Sequence, residues 1–371
     1  MTCNDIIKYI ENWAPKEVAW KNDNVGLQVG NRSLKVKNIM LCLEVTGNVI
    51  EEAIRKKCNM IISHHPLLFH PLKKIDTAED YNSKLIEKLI KNDITLFSAH
   101  TNLDFTKDGV SFELAKTLKL KNIKFLSNFQ SNQFKIVVFV PKNFLTKVSG
   151  AMFKVGGGSI GEYSNCSFQT EGNGTFIGSD KSNPSVGNKN VSEKVGEIKL
   201  EMVVGSANVN KVINAMLNVH PYEEPAYDLF SLANPDVNYG AGAIGDMEES
   251  MNPSEFLSYT TKCLKSTNLR FTKGKSKKIK KVAVCGGSGS ELINDAIKKG
   301  ADAFITADIK YHAFHDTSNK ILLIDAGHYE TEIHSMNEVR KRLDNLTGKN
   351  SKTKIFKYSG STNPVLFFNN Q

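Results

Sequence analysis

What most constrains the fold of this chain is an alternation of short, almost wholly apolar runs with stretches of helical spacing. Ile39-Met-Leu-Cys-Leu-Glu-Val45, Asn59-Met-Ile-Ile-Ser63 and Ile94-Thr-Leu-Phe-Ser-Ala99 read as strands, separated by helices over residues 49–58 and 83–91. Strands that are apolar on both faces belong inside a parallel sheet, and their alternation with helices predicts βαβ units. An amphipathic helix over residues 3–12 precedes them, residues 20–30 read as a loop, and a helix over 109–120 follows. The pattern resumes at Asn252-Pro-Ser-Glu255, which predicts a capped helix with proline in its first turn. Further strands are expected from residue 281, over 303–306 and over 321–326.

In between, the order changes. Strand, helix and strand are expected over 134–140, 144–155 and 166–176, and again over 197–204, 209–219 and 226–230, with a Gly-, Ser- and Asn-rich loop at 178–190. Two such units in tandem predict a ferredoxin-like α+β sandwich of about 100 residues. The expected organisation is an α/β domain with a mainly parallel sheet, built from residues 1–127 and 238–371, interrupted by an inserted domain over 128–237. Within the insert, His220-Pro-Tyr-Glu-Glu-Pro225 is read as a rigid, proline-braced turn in preference to a ligand site.

Ligands of open α/β sheets lie beyond the carboxyl ends of the strands, and three predicted strand ends carry chemistry. His64-His65-Pro66 follows one strand, His100-Thr-Asn-Leu-Asp104 another, and Gly327-His-Tyr-Glu-Thr-Glu332 a third. Neighbouring residues leaving a strand diverge, so His64 and His65 suit two ions better than one. His328 and Glu332, four apart, share a face if a helix starts there. Taken singly, each has an ordinary reading: surface histidines, a capping aspartate, an exposed pair on a first helical turn. Taken together, His64, His65, Asp104, His328 and Glu332 are the inventory of a two-metal site with a bridging carboxylate. His100 is a ligand, a tether or an acid–base group. The glycine turn Cys285-Gly-Gly-Ser-Gly-Ser290 lacks the phosphate-loop lysine and reads as a tight strand-to-helix turn, not an anion cradle.

The formal charge of +9 raises the question of nucleic acid. Its densest source, Lys273 to Lys281, has no arginine or aromatic residue and precedes a strand, so it reads as a solvated connector; nucleic acid is not the expected partner. Six scattered cysteines without a CxxC pair predict reduced thiols and a cytoplasmic protein. No basic, apolar leader and no apolar run approaching about 18 residues is present, so neither export nor a membrane is expected.

Ile62-Ser-His-His-Pro-Leu-Leu-Phe69, Ala99-His-Thr-Asn-Leu-Asp104 and Gly327-His-Tyr-Glu-Thr-Glu332 resemble the three motifs of the Nif-three-like family, the GTP cyclohydrolase 1 type 2 homologues. Asp23-Asn-Val-Gly-Leu27, Cys285-Gly-Gly-Ser-Gly289 and Asp308-Ile-Lys310 fit the same family, and the insert resembles the PII-like or CutA-like module of its longer bacterial members. The resemblance implies a Nif-three-like α/β/α domain holding two divalent metal ions per subunit, with zinc, iron and manganese all suited to such a ligand set. It implies His65 and Asp104 on one ion, His64 and His328 on the other, and Glu332 between them. It further implies a toroidal homohexamer. The leading expectation is a metal-dependent hydrolase resembling a GTP cyclohydrolase and acting on a small molecule, a nucleotide among the candidates, with His100 as a proton shuttle. The alternative is a metal-handling or regulatory protein without turnover, whose insert senses a small ligand. Glu44 departs from the aspartate usual at that strand end in the family.

Overall fold

The computed structural model describes residues 1–130, 132–161, 163–266, 268–348 and 351–368. The chain divides into two compact units, an outer one of residues 1–128 with 238–371 and a middle one of residues 129–237.

The outer unit contains two sheets. The first is built from Gly26–Val29 (β1), Ile39–Cys42 (β2), Met60–Ser63 (β3), Thr95–Ser98 (β4) and Ile355–Lys357 (β15), in the order β1-β4-β3-β2-β15. Strands β15, β2, β3 and β4 run parallel, and β1 lies antiparallel on β4. Every residue of β2, β3 and β4 is buried, because helices cover both faces. Alternate side chains go to opposite sides. Leu41, Ile62 and Phe97 join the core of the helices Cys3–Trp13 and Ser335–Thr347, whereas Met40, Ile61 and Leu96 join that of Gly47–Arg55 and Tyr81–Lys91. Phe97 has no exposed surface. Its truncation in Phe97→Ala is expected to remove about 3–5 kcal/mol of unfolding free energy in a denaturant titration.

The second sheet comprises Lys121–Gln130 (β5), Pro235–Met251 (β10), Arg270–Thr272 (β11), Ile279–Ser288 (β12), Ala303–Ala307 (β13) and Leu322–Asp325 (β14), in the order β11-β14-β13-β12-β10-β5. Strands β12, β13 and β14 are parallel to one another; β10 and β11 pair antiparallel at either side of them. The expectation of one mainly parallel sheet is therefore corrected to two sheets, the second of them mixed. The strands behind the difference have no apolar run to read. β1 lies inside the expected loop 20–30 and its two central residues are half-buried. β10 contains Gly240 and Gly245, where a Cβ would stand 2.5 Å from the Ser127 carbonyl and 2.7 Å from the Lys121 carbonyl. Those glycines let β5 approach, and they also erase the hydrophobic pattern. The helix Pro253–Leu264 starts as its sequence predicts, with Asn252 and Glu255 forming a reciprocal cap.

The middle unit has one antiparallel sheet of Gln133–Pro141 (β6), Phe168–Ile177 (β7), Ser192–Gly205 (β8) and Tyr227–Ser231 (β9), ordered β7-β8-β6-β9. Helices Leu145–Lys154 and Val209–Leu217 follow β6 and β8, giving a βαββαβ chain order. Ile136, Val138, Leu200 and Met202 form its core with both helices.

Candidate metal centre

The end of β3, the end of β4 and the short helix His328–Glu332 after β14 bring the six singled-out residues to one place. Glu332 stands at the middle. Its Oε1 lies 3.0 Å from His328 Nε2 and 3.7 Å from His64 Nε2, and its Oε2 lies 3.1 Å from His65 Nε2. Asp104 Oδ1 is 3.4 Å from His64 Nε2. Asp104 ends the helix Thr101–Asp104, and the next helix, Val110–Thr117, has Gly109 at its N-cap and no side-chain cap, so the aspartate has no capping duty. His100 completes the cluster, its ring 5.3 Å from those of both His64 and His65.

Each imidazole is held through Nδ1 so that Nε2 points inward. His64 Nδ1 meets the Ala99 carbonyl at 2.8 Å, His65 Nδ1 the Glu44 carboxylate at 2.8 Å, His328 Nδ1 the Asp308 carboxylate at 2.6 Å and His100 Nδ1 the Asp23 carboxylate at 2.9 Å. Such tethers set the tautomer and aim of a metal-binding histidine. Asp23 is itself fixed by the Thr101 backbone N–H and hydroxyl. Sequence reasoning quoted Asp23 and Asp308 without giving either a task, and treated Glu44 as a departure. The structure makes all three the carboxylate partners of the rings. At Glu44 the longer side chain still reaches His65, steadied by a hydrogen bond from the Thr362 hydroxyl.

The candidate donor groups overlap: His64, Asp104 and Glu332 form one, His65, His328 and Glu332 another, and His64, His65 and His100 a third. Neighbours at a strand end diverge. His64 turns inward to the β4 end, where Asp104 follows, and His65 turns to the Glu44 and His328 side.

This arrangement fits divalent cations. His64 Nε2, Asp104 Oδ1 and Glu332 Oε2 are buried and lack a hydrogen-bond partner among the described residues, a costly state for polar atoms unless something else binds them. Asp104 Oδ1 and Glu332 Oε1 stand 3.4 and 3.7 Å from His64 Nε2, separations that resemble the edge of a coordination polyhedron with bonds of about 2.0–2.2 Å. Burial pushes the Asp104 carboxyl well above its usual range, and the nearby Glu332 charge adds to this. Burial also works against the Glu332 carboxylate, yet the histidines around it hold it well below its usual range. Burial opposes the His65 cation too, but Glu332 and Glu44 push it up to about 10.

The glycine turn belongs to the same site. Gly287 has φ +63°, and a Cβ there would stand 2.2 Å from Glu332 Oε1. Its N–H donates to Thr331 Oγ1 at 3.0 Å, so this amide serves the helix that carries His328 and Glu332 and is not offered to an anion. Gly287→Ala is expected to cost about 1–3 kcal/mol in stability through the left-handed backbone alone. By displacing Glu332 it should also lower metal content after dialysis against a trace-metal buffer.

The Duf34/NIF3 (NGG1p interacting factor 3) family profile matches residues 1–364. The chain belongs to that family. Among its relatives, the GTP cyclohydrolase 1 type 2 homolog of Halalkalibacterium halodurans is 38% identical over 364 residues, covering 98% of each chain. The protein of the same name from Bacillus subtilis is 37% identical, covering 98% of this chain and 97% of its own. A solved structure of a Bacillus cereus protein related to NIF3 superposes with a TM-score of 0.83 at 36% identity, covering 99% of both chains. Family membership therefore extends across the middle unit as well as the outer one.

Proposed function

We propose that the outer unit holds two divalent metal ions, one on His64 and Asp104, the other on His65 and His328, with Glu332 shared, and that the protein is a metal-dependent hydrolase. The carrying observation is the shared, buried Glu332 carboxylate between two sets of inward-aimed imidazoles. Zinc, iron and manganese all suit the ligand set. Metal ions bound there supply Lewis acidity and lower the pKa of a coordinated water. His100, braced by Asp23, is placed to hold or move a proton beside the pair. The relatives' name directs the substrate search to nucleotides, GTP first.

The oligomer proposed is a homohexamer, to be checked by light scattering on the purified chain. A cytoplasmic location accords with six free cysteines, and no helix among the described residues is long and apolar enough to cross a membrane. The βαββαβ order of the middle unit supports its reading as a PII-like or CutA-like module. A second reading, metal handling or regulation without turnover, is favoured by the presence in that unit of a cavity of its own.

Elemental analysis and nucleotide turnover, measured together on wild type, His65→Ala and His328→Ala, separate the readings. Two metals with turnover that fails in both variants supports the hydrolase. Two metals without turnover on any nucleotide supports the second reading, and unchanged metal content in both variants removes the site assignment.

A further inference from the structure

The middle unit's cavity, of about 520 Å³, is formed wholly by residues 139–226 and lies within the size range of small-molecule sites. Its floor is the sheet face turned away from the two helices. On that face β7 carries Gly172, in register with Glu197 of β8, and Gly174 two residues on. A Cβ at Gly172 would meet nothing within 4 Å, whereas one at Gly174 would stand 2.1 Å from Glu197 Oε2. The two glycines thus hollow the floor and leave room for a carboxylate.

The His220–Pro225 turn forms one wall. His220 Nε2 lies 3.1 Å from the Phe139 carbonyl, and its Nδ1 accepts the Tyr222 N–H at 3.1 Å. The histidine is accordingly a strut, as the rigid-turn reading expected, and the residues it holds up are Tyr222, Glu223 and Glu224. The opposite wall, Gly178 to Val186, is tied to the turn by the Asn183 N–H donating to Glu223 at 2.8 Å. Phe139, Phe176 and Tyr222 supply aromatic surface.

The charges facing this hollow are unbalanced. Three glutamates line it, Glu197, Glu223 and Glu224, against one lysine, Lys199; Glu171 lies in register with Ile198 and so turns to the helix face. Lys199 is drawn to Glu201 at 2.6 Å, none of the three glutamates is ion-paired among the described residues, and Glu171 is paired on the other face with Lys142 at 2.8 Å. Carboxylates beside aromatic rings favour a cation with an apolar body, through Coulomb attraction and cation–π contact, and the same carboxylates repel phosphates.

We infer that this cavity binds a small organic cation, a protonated amine carried on an aromatic or apolar body, with Glu197 as its counter-ion and the glycine floor as its seat. The inference gives a ligand class to the sensing module of the second reading above, but its observations are confined to the middle unit and do not depend on metal binding elsewhere.

The test is titration calorimetry on the full-length chain with tryptamine and phenethylamine as cationic probes, indole-3-acetate as an anionic counterpart, and ATP. At least one amine should bind about tenfold or more tightly than indole-3-acetate. Gly172→Leu, which fills the hollow, should abolish that binding. Glu197→Gln, nearly isosteric, should weaken it by about tenfold while improving the acetate, and it decides the matter if the leucine variant does not fold. Tighter binding of ATP or indole-3-acetate, amine binding untouched by either substitution, or no saturable amine binding up to about 10 mM would each overturn the inference. Metal content, read on the same samples, reports on the outer unit's function separately.

Discussion

Glu332→Gln should empty the metal centre. The substitution preserves shape but removes the charge that Nε2 of His65 and His328 face at 3.1 and 3.0 Å, and an amide is a poor bridge between cations. Loss of a shared ligand should exceed the 10- to 100-fold affinity loss typical when a supporting partner is removed, so a fall of more than about 100-fold is expected for both sites. Elemental analysis after dialysis should find both metals gone together, with hydrolysis lost in proportion. Asp104→Asn, by contrast, should weaken only the His64 side. Loss of one metal with retention of the other in Glu332→Gln would contradict a shared ligand.

Thr362→Val should loosen the centre from outside it. After β15, the chain crosses the ends of the first sheet's strands. The Tyr358 N–H donates to the Leu41 carbonyl, the Ser359 hydroxyl to Glu52, the Thr362 hydroxyl to Glu44 and the Asn363 side-chain amide to Glu330. Glu44 in turn orients His65. Valine keeps the volume and deletes the hydroxyl, so the expected result is a 10- to 100-fold weaker metal site on the His65 and His328 side, with the His64 and Asp104 side unchanged. Thr362→Ser should restore it. Equal weakening of both sites, or failure of serine to rescue, would indicate a general loss of packing.

The parts of this site that were legible in the sequence share a property: they stand at the ends of buried strands, where an apolar run stops at residues with metal chemistry. His64, His65, Asp104, His328 and Glu332 could be picked out because two sequence-local signals coincide there. The division between ions proposed above was not legible, because it depends on which way each side chain leaves its strand and what lies 3–4 Å away. The tethers were harder still. Asp23, Glu44 and Asp308 carry no local sign of such a task, and only folding brings them to ring nitrogens elsewhere in the chain, and Thr362 to Glu44. The same holds for β10, whose glycines serve the close approach of β5 and so break the apolar pattern that announces a strand.

The ligands of the centre straddle the middle unit in sequence, with His64, His65 and Asp104 before it and His328 and Glu332 after it, and Thr362 follows them all. On a ribosome, a chain that has emerged only through the middle unit can complete that unit's local βαββαβ fold, but it offers a metal ion no more than a partial ligand set. Binding with full affinity waits for residues 328–362. The occupied centre would therefore report that both segments of the outer unit have been made and have found each other.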